Sequence, residues 1–240
     1  MGAFGAQEIC KAMEINDLRK TLRLYLVTDR PLSMGRELEW IVAEAVRGGA
    51  TMVQLREKNI DTRGFIELAG RLQTVLKEAG VPLIINDRVD VALAVDADGV
   101  HIGQSDMPYD IARRLLGPDK IIGLSVENMD EVREANSLDV DYIGVSPVYS
   151  TATKTDTAPP FGLDGLSEAV RLSVHPTVAI GGMNARTAAD AFATGVDGIA
   201  VVSAICSAED PRAAAKILAR TASYSGYVQS SLRCGSFGEK

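Results

Sequence analysis

Short apolar runs alternate with longer segments of helical spacing along nearly the whole chain, and this alternation limits the fold more than any other feature. Continuous apolar runs separated by helices are typical of parallel strands that are covered on both faces. The eight runs are Leu22–Thr28, Met52–Arg56, Leu83–Asn86, Gly99–Ile102, Ile121–Leu124, Tyr142–Val145, Thr177–Ile180 and Gly198–Val201. Eight strand–helix units predict a closed (β/α)8 TIM barrel. An open doubly wound sheet is disfavoured because no Gly-rich turn follows the first run.

The helical segments and the chain ends define one predicted domain. In Leu38–Val46 the apolar residues fall on one face, as in a helix that covers a sheet. We expect the barrel to occupy residues 22–222, a length that suits one complete barrel. Residues 1–21 are predicted to be an N-terminal extension. Residues 223–240, in which Ser and Gly are frequent, are predicted to be a flexible tail.

Charge and cysteine content narrow the partners and the compartment. The chain has 32 acidic and 25 basic residues, a formal net charge of -7, which disfavours non-specific binding to nucleic acid or anionic membranes. Three widely spaced cysteines suggest free thiols in a reducing cytoplasm. We find no signal-peptide pattern and no apolar run long enough to span a membrane. A soluble cytoplasmic protein that acts on small molecules is therefore expected.

Function in a TIM barrel lies at the carboxyl ends of the strands, and cations follow the second strand at that place. Arg56 and Lys58 are two residues apart in extended chain, so their side chains point to the same face. Arg binds phosphate through a bidentate fork and Lys binds it as a point charge. The pair therefore suits a phosphate or a diphosphate, although a solvated surface pair is the alternative.

Two carboxylates leave the third and fourth strands at the same rim. Asp87 follows Asn86, and Asp106 closes the stretch that begins at His101. Magnesium is typically held by one or two carboxylates, with substrate phosphates and waters as the other ligands. The alternative, that each Asp caps a helix, is slightly favoured for Asp106 by spacing alone. His101 lies in an apolar run and, like His175, is interpreted as structural, whereas Gln104 could be a polar contact.

Two further rim segments have functional features. The loop 146–155 after the sixth strand is long and rich in hydroxyl groups, and its Thr151, Thr153 and Lys154 could donate to diphosphate oxygens; a merely flexible loop is the alternative. Gly181 and Gly182 follow the seventh strand, where barrels often form a phosphate site from backbone amides. Glycine allows an anion to approach the backbone there because it has no Cβ.

Taken together, these segments resemble thiamine-phosphate synthases over about residues 22–205. No single motif identifies that family, but seven of them in the same order on the same predicted fold are specific. The motifs are Tyr25–Asp29 (YLVTD), Gln54–Lys58 (QLREK), Asn86–Arg88 (NDR), His101–Asp106 (HIGQSD), Gly144–Lys154 (GVSPVYSTATK), Ile180–Met183 (IGGM) and the run GIAVVSAI from Gly198.

The resemblance implies a transferase that joins hydroxymethylpyrimidine diphosphate to hydroxyethyl-methylthiazole phosphate with Mg²⁺, giving thiamine monophosphate and pyrophosphate. It implies magnesium ligands at Asp87 and Asp106. The implied diphosphate contacts are Arg56, Lys58, Asn86 and Lys154, and the implied pyrimidine contacts are Gln54 and Ser125, the latter also beside the leaving group. The implied thiazole-phosphate contacts are Thr151, Thr153, Gly182, Val202 and Ser203.

Two other functions fit the same fold. A thiazole tautomerase would share the barrel and the phosphate site, but it would not need a magnesium–diphosphate site and typically lacks the Thr-x-Thr-Lys loop. A non-catalytic phosphate-binding module would bind its ligand tightly without turnover. The charged residues retained at the rim favour the synthase. The sequence leaves open whether the chain forms a homo-oligomer.

Overall fold

The chain forms a closed barrel of eight parallel strands. The computed structural model describes residues 17–150 and 158–234, with side chains described as far as residue 223. Each strand pairs with the next, and β8 pairs with β1 to close the sheet. The strands are β1 (Leu24–Val27), β2 (Met52–Leu55), β3 (Leu83–Asn86), β4 (Gly99–Ile102), β5 (Ile121–Val126), β6 (Tyr142–Val145), β7 (Thr177–Ile180) and β8 (Gly198–Val201). This confirms the predicted (β/α)8 class.

Helices connect the strands and cover the outside of the barrel. A 3-10 turn (Pro31–Ser33) follows β1. The α-helices are α1 (Leu38–Arg47), α2 (Thr62–Ala79), α3 (Val89–Val95), α4 (Tyr109–Leu116), α5 (Met129–Ala135), α6 (Gly162–Leu172), α7 (Ala188–Ala193), α8 (Ser203–Cys206) and α9 (Pro211–Cys234). The strand boundaries agree with those predicted from the sequence to within two residues, and they differ only at β1, β2 and β5.

Apolar side chains form two layers. The outer layer lies between strands and helices, and there α1 buries the predicted face, Leu38, Ile41, Val42 and Ala45. The inner layer fills the barrel and includes Tyr25, Met52, Ile84, Tyr142 and Val178. Because strand side chains alternate between the two faces, each strand contributes to both layers.

At the amino end of the barrel, one residue before each even-numbered strand binds the backbone of the preceding odd-numbered strand. Thr51 Oγ1 accepts the N–H of Leu24 at 2.9 Å. Asp98, Asp141 and Asp197 accept the N–H groups of Leu83, Ile122 and Thr177 at 2.8, 2.8 and 2.9 Å. These four side chains form a pseudo-fourfold collar, which satisfies strand N–H groups at the barrel base that would otherwise lack acceptors.

The last helix extends beyond the predicted end of the barrel domain. Helix α9 continues to Cys234, beyond the predicted limit at residue 222. Ser and Gly cost a helix less than about 1 kcal/mol each, so their frequency alone does not end it. Where side chains are described, Ala215, Leu218 and Ala222 are buried against the barrel. Within the described part of the chain, no helix is both long and apolar enough to cross a membrane.

We expect Asp197→Ala to lower the free energy of unfolding by about 1–3 kcal/mol, because the Thr177 N–H loses its acceptor and Arg19 loses its ion-pair partner. Urea denaturation would measure the change. Asp190→Ala, which removes an exposed carboxylate on α7, is the matched control and should change stability by less than about 0.5 kcal/mol. Equal effects of the two substitutions would contradict a structural role for the collar.

Candidate active site

A cavity of about 520 Å³ opens at the carboxyl ends of the strands. Its lining includes ten of the thirteen site residues expected from the sequence: Gln54, Arg56, Lys58, Asn86, Asp87, Asp106, Ser125, Gly182, Val202 and Ser203. The other three, Thr151, Thr153 and Lys154, lie outside the described residues. Barrel closure therefore brings together side chains separated by as many as 149 positions in the sequence, from Gln54 to Ser203.

The two aspartates of the rim lie on adjacent loops and face the same cavity. Asp106 accepts the backbone N–H of Gly103 at 2.7 Å, and Asp87 forms an ion pair with Lys58 at 2.5 Å. Neither caps a helix: the residues that precede α3 and α4 are Arg88 and Pro108. The capping alternative was therefore wrong for both residues. The Asp106 carboxylate accepts a hydrogen bond within its own loop, and the Asp87 carboxylate pairs with Lys58 in the loop after β2.

The electrostatics of this pair suit a cation. Burial raises the pKa of Asp106, and the nearby carboxylate of Asp87 raises it further, opposing the effect of the Gly103 N–H. Asp87 also has a positive φ of 61°, a backbone conformation that costs a non-glycine residue of the order of 1–3 kcal/mol. Among the described residues no group of three or more His, Cys, Asp and Glu side chains could hold a metal. Two carboxylates match Mg²⁺, which takes its remaining ligands from phosphate and water.

The two cations of the rim are oriented by carboxylates in the same region. Arg56 Nη1 donates to Asp29 Oδ2 at 3.0 Å, and Asp29 Oδ1 also accepts the N–H of Leu32. Lys58 reaches across to Asp87. A guanidinium has five N–H donors and an ammonium has three, so both groups retain donors for an anionic ligand in the cavity.

Five side chains form a continuous hydrogen-bonded series along the bottom of the cavity, which we call the floor chain: Gln54, Tyr25, Tyr142, His101 and Ser125. Gln54 Nε2 donates to the Tyr25 hydroxyl at 2.8 Å, and the two tyrosine hydroxyls are 2.9 Å apart. The Tyr142 hydroxyl lies 2.9 Å from His101 Nδ1, and Ser125 Oγ lies 2.8 Å from His101 Nε2. The floor chain thus connects β2, β1, β6, β4 and β5.

Glycine at position 123 leaves room for the His101 ring, and burial determines its protonation state. A Cβ on Gly123 would lie 2.1 Å from the Tyr142 ring and 2.5 Å from His101 Nδ1, so this position must be glycine. The ring lines the cavity but is otherwise enclosed by protein, which lowers the pKa of His101 to about 4, against an opposing effect of Asp87. The imidazole is therefore neutral at physiological pH.

The loops after β6 and β7 pack closely on each other. A Cβ on Gly182 would lie 2.7 Å from Tyr149 Cβ, and Gly182 has a φ of 72°. Asn184 Nδ2 and Thr187 Oγ1 both donate to the Gly182 carbonyl, at 2.9 and 3.0 Å. The glycine is thus needed for packing and backbone conformation, and the access of an anion that the sequence suggested stays a prediction.

The loop that contains Thr151–Lys154 leaves and returns at one place on the rim. The N–H groups of Val148 and Tyr149 donate to β7 and its loop, at Ile180 and Gly181. On the return side, the N–H groups of Phe161 and Gly162 donate to Pro147 and Val148, at 2.9 and 3.0 Å. This stem places both ends of the loop beside the cavity.

Arg36 holds the short helix α8, which begins beside the cavity after β8. Its guanidinium donates to the carbonyls of Ser33, Cys206 and Ala208 at 2.9, 2.7 and 2.6 Å. A cation at the carboxyl end of a helix is favourable, and here it also joins α8 to the loop after β1. The backbone of Val202 and Ser203 is thereby positioned at the cavity wall.

Sequence reasoning missed Arg36 and the tyrosines of the floor chain. His101 is hydrogen-bonded through both ring nitrogens, as expected of a structural histidine, and it also lines the cavity. Tyr25 and Tyr142 lie within apolar strands, where a buried aromatic residue is the ordinary explanation. The available signal was a set of polar aromatic side chains at inward-facing strand positions. For His175 the structure agrees with the predicted structural role. Its Nε2 lies 2.9 Å from the Ala135 carbonyl oxygen, and the residue does not line the cavity.

Comparison with known proteins relates the chain to one family. Residues 24–205 match the family profile described as thiamine monophosphate synthase. Among curated proteins, the thiamine-phosphate synthase of Vibrio campbellii is 57% identical over 196 residues, which are 82% of this chain and 96% of that protein. The thiamine-phosphate synthase of Albidiferax ferrireducens is 54% identical over 201 residues, 83% of this chain and 92% of that protein.

Solved structures agree with the sequence comparison. A thiamine phosphate pyrophosphorylase from Pyrococcus furiosus superposes with a TM-score of 0.80 at 42% identity, covering 87% of this chain and 98% of that one. A 3-hexulose-6-phosphate synthase superposes with a TM-score of 0.62 at 17% identity, covering 83% of this chain and 99% of that one. At that identity the second likeness shows only that the barrel is shared.

We expect His101 to remain neutral down to about pH 5, because burial lowers its pKa from 6.5 to about 4. Between these values the unfolded chain binds more protons, so the contribution to stability is complete above about pH 6.5 and is lost as the pH falls towards 4. NMR titration of ¹⁵N-histidine would measure the pKa, with His175→Gln to assign the two signals. A midpoint at or above 6.5 for His101 would contradict this account.

Proposed function

The chain belongs to the thiamine monophosphate synthase family, and we propose that its rim cavity joins hydroxymethylpyrimidine diphosphate to hydroxyethyl-methylthiazole phosphate with the help of Mg²⁺. It is a thiamine-biosynthetic transferase on a TIM barrel. The observation that carries the detailed proposal is the convergence of Asp87, Asp106, Arg56 and Lys58 on one cavity.

The diphosphate binds at the β2–β4 side of the cavity. Arg56, Lys58 and Asn86 donate to its oxygens, and Lys154 does so from the loop after β6. Asp87 and Asp106 hold Mg²⁺, which when bound neutralises charge on the diphosphate and its leaving oxygen. Burial and, after it, the nearby carboxylate of Asp87 raise the pKa of Asp106. This supports the assignment, because a cation would relieve the repulsion between the two carboxylates.

The reaction needs electrostatic help to a leaving group rather than a protein nucleophile. The carbon–oxygen bond to the diphosphate breaks first, and its electron pair leaves with pyrophosphate. The thiazole nitrogen then uses its lone pair to bond to the pyrimidine cation, giving thiamine monophosphate. Fixed donors such as Arg56 and Lys58 stabilise the charge that develops on pyrophosphate. Gln54 and Ser125 contact the pyrimidine from the cavity floor.

The thiazole phosphate binds on the opposite side, at the loops after β7 and β8. Backbone groups of Gly182, Val202 and Ser203 surround it, and Thr151 and Thr153 donate to it from the loop after β6. The bonds that Asn184 and Thr187 make to Gly182 support this role, because they hold the backbone in a fixed position before a ligand arrives.

The other two functions are disfavoured by the same cavity. A thiazole tautomerase would need the phosphate site but not the acidic pair and its two neighbouring cations. A binding module would gain little from two carboxylates that disfavour an anionic ligand in the absence of a metal.

We also propose a cytoplasmic location, in keeping with the free thiol of Cys206 among the described side chains. Nucleic acid and membrane surfaces are not expected partners of an acidic chain.

Pyrophosphate release tests the proposed function. Purified protein given both substrates should release pyrophosphate and form thiamine monophosphate in equal amount, with a dependence on Mg²⁺ and on the thiazole phosphate. Thiazole-phosphate binding by folded protein without any release would instead favour the tautomerase or the binding module.

We expect Asp87→Ala and Asp106→Ala each to lower kcat by about 100-fold or more and to weaken the dependence on Mg²⁺, because each removes a cation ligand at the leaving group. Initial rates across a magnesium titration would measure both effects. Asp119→Ala, an exposed carboxylate beyond α4, is the control and should behave as wild type. Normal rates at saturating Mg²⁺ in a folded Asp87 or Asp106 variant would exclude that residue as a ligand.

Arg36→Ala should raise the KM for thiazole phosphate about tenfold, with a smaller change in kcat, because α8 loses the cation that positions it. Arg36→Lys should not restore the KM, since an ammonium cannot reproduce the geometry of a planar guanidinium bonded to three carbonyls. Steady-state kinetics with circular dichroism as a folding check would measure this. Arg47→Ala, which removes an exposed cation at the end of α1, is the control. A folded Arg36→Ala protein with unchanged KM would refute the role.

A further inference from the structure

The floor chain has a direction that follows from its donors and acceptors. Gln54 Nε2 donates to the Tyr25 oxygen. Within the described part of the chain, the acceptor left for the Tyr25 hydrogen is the Tyr142 oxygen. A phenol has one hydrogen to donate, and within the described residues the acceptor left for the Tyr142 hydrogen is His101 Nδ1.

The same logic continues through the histidine to the serine. A neutral imidazole whose Nδ1 accepts a hydrogen bond carries its proton on Nε2. His101 Nε2–H therefore donates to Ser125 Oγ at 2.8 Å. The Ser125 hydroxyl, having accepted this bond, has its own hydrogen to donate into the cavity that it lines. Gln104 Nε2 donates to the Ser125 carbonyl at 2.7 Å and helps to hold the residue.

We propose that the floor chain is a directional relay that couples recognition of an aminopyrimidine at Gln54 to the donor state of the Ser125 hydroxyl. The inference rests on the proposed function for the identity of the ligand. Gln54 Oε1, which the relay leaves for a ligand, accepts a hydrogen bond from the exocyclic amine. The Ser125 hydroxyl at the other end donates to the ligand. Tyr25, Tyr142 and His101 are positioning residues that connect the two ends.

The relay explains how the site would reject an oxo-pyrimidine. A carbonyl in place of the amine requires the Gln54 amide to turn, so that its nitrogen faces the ligand and its oxygen faces Tyr25. Tyr25 must then donate to Gln54, Tyr142 to Tyr25, and His101 Nδ1–H to Tyr142. Ser125 has to donate to His101 Nε2 and loses its donor to the ligand. The oxo group thus keeps a hydrogen bond at Gln54 but costs the one from Ser125 at the other end of the cavity.

The fold makes room for this polar series inside an otherwise apolar barrel. Gly123 and Gly144 lie beneath the His101 ring, and a Cβ on Gly144 would lie 3.2 Å from His101 Cε1. Tyr25 and Tyr142 pack edge to face, with ring centroids 6.0 Å apart. Burial raises the pKa of both tyrosines, so that both keep the hydrogen that the relay requires.

The tautomer of His101 reports the direction of the relay, and a chain with only two histidines makes it readable by ¹⁵N NMR. Wild-type protein at pH 8 should show the Nε2–H tautomer at His101. Gln54→Glu places a carboxylate that can only accept a hydrogen bond from Tyr25, so it should reverse every bond of the relay. His101, three hydrogen bonds away from position 54, should then show the Nδ1–H tautomer. In the Tyr142→Phe background, Gln54→Glu should no longer change the tautomer. Tyr109→Phe, which removes a hydroxyl on α4, should behave as wild type.

Kinetics test the consequence for specificity. Tyr142→Phe and Tyr25→Phe should each reduce the ratio of kcat/KM for the aminopyrimidine diphosphate to that for its 4-oxo analogue by about tenfold or more. A merely structural effect would lower both values equally, and equal losses would count against the relay. An Nδ1–H tautomer in wild-type protein, or an unchanged tautomer in folded Gln54→Glu protein, would overturn it. Absence of turnover in wild type would contradict the proposed reaction, while the tautomer result would still decide the direction of the relay.

Discussion

Closure of the sheet by the pairing of β1 with β8 is the constraint on which the rest of the structure depends. The registers Leu24 to Ile199 and Tyr25 to Ala200 complete a ring in which no strand has an open edge. Gly198 permits this closure, because a Cβ there would lie 1.8 Å from the Leu22 carbonyl oxygen. The collar of Thr51, Asp98, Asp141 and Asp197 stabilises the same ring at its base.

Parallel strands in a closed ring deliver all their carboxyl ends to one rim, and this geometry creates the electrostatics of the cavity. Asp87 and Asp106 come within interaction range only because β3 and β4 are neighbours. Arg56 and Lys58 are oriented by Asp29 and Asp87, which lie just after the neighbouring strands β1 and β3. Charged groups of both signs are thus held in position before a ligand binds, which lowers the reorganisation needed during a reaction.

The polar floor inside the barrel shows how the fold and the function are connected. A buried hydroxyl or imidazole destabilises a protein unless it is hydrogen-bonded, and each member of the floor chain has its neighbour as a partner. Replacement by apolar residues would fill the same space without this requirement. The structure instead uses glycine at 123 to admit Tyr142 and His101. Polar side chains at these core positions agree with the proposal that the series acts on the ligand.

Apolar periodicity, which is a local property of the chain, was enough to predict the eight-stranded barrel and the charged strand ends. Of the ten predicted residues that line the cavity, those at strand ends follow from the shared rim, whereas Gln54 and Ser125 came from the resemblance to the family. Only the tertiary structure decided that neither Asp87 nor Asp106 caps a helix, that Arg36 holds α8, and that Tyr25, Tyr142 and His101 form one series. The last two of these findings depend on contacts between residues 41 to 172 positions apart, whose distance and direction are set by barrel closure and by no local pattern.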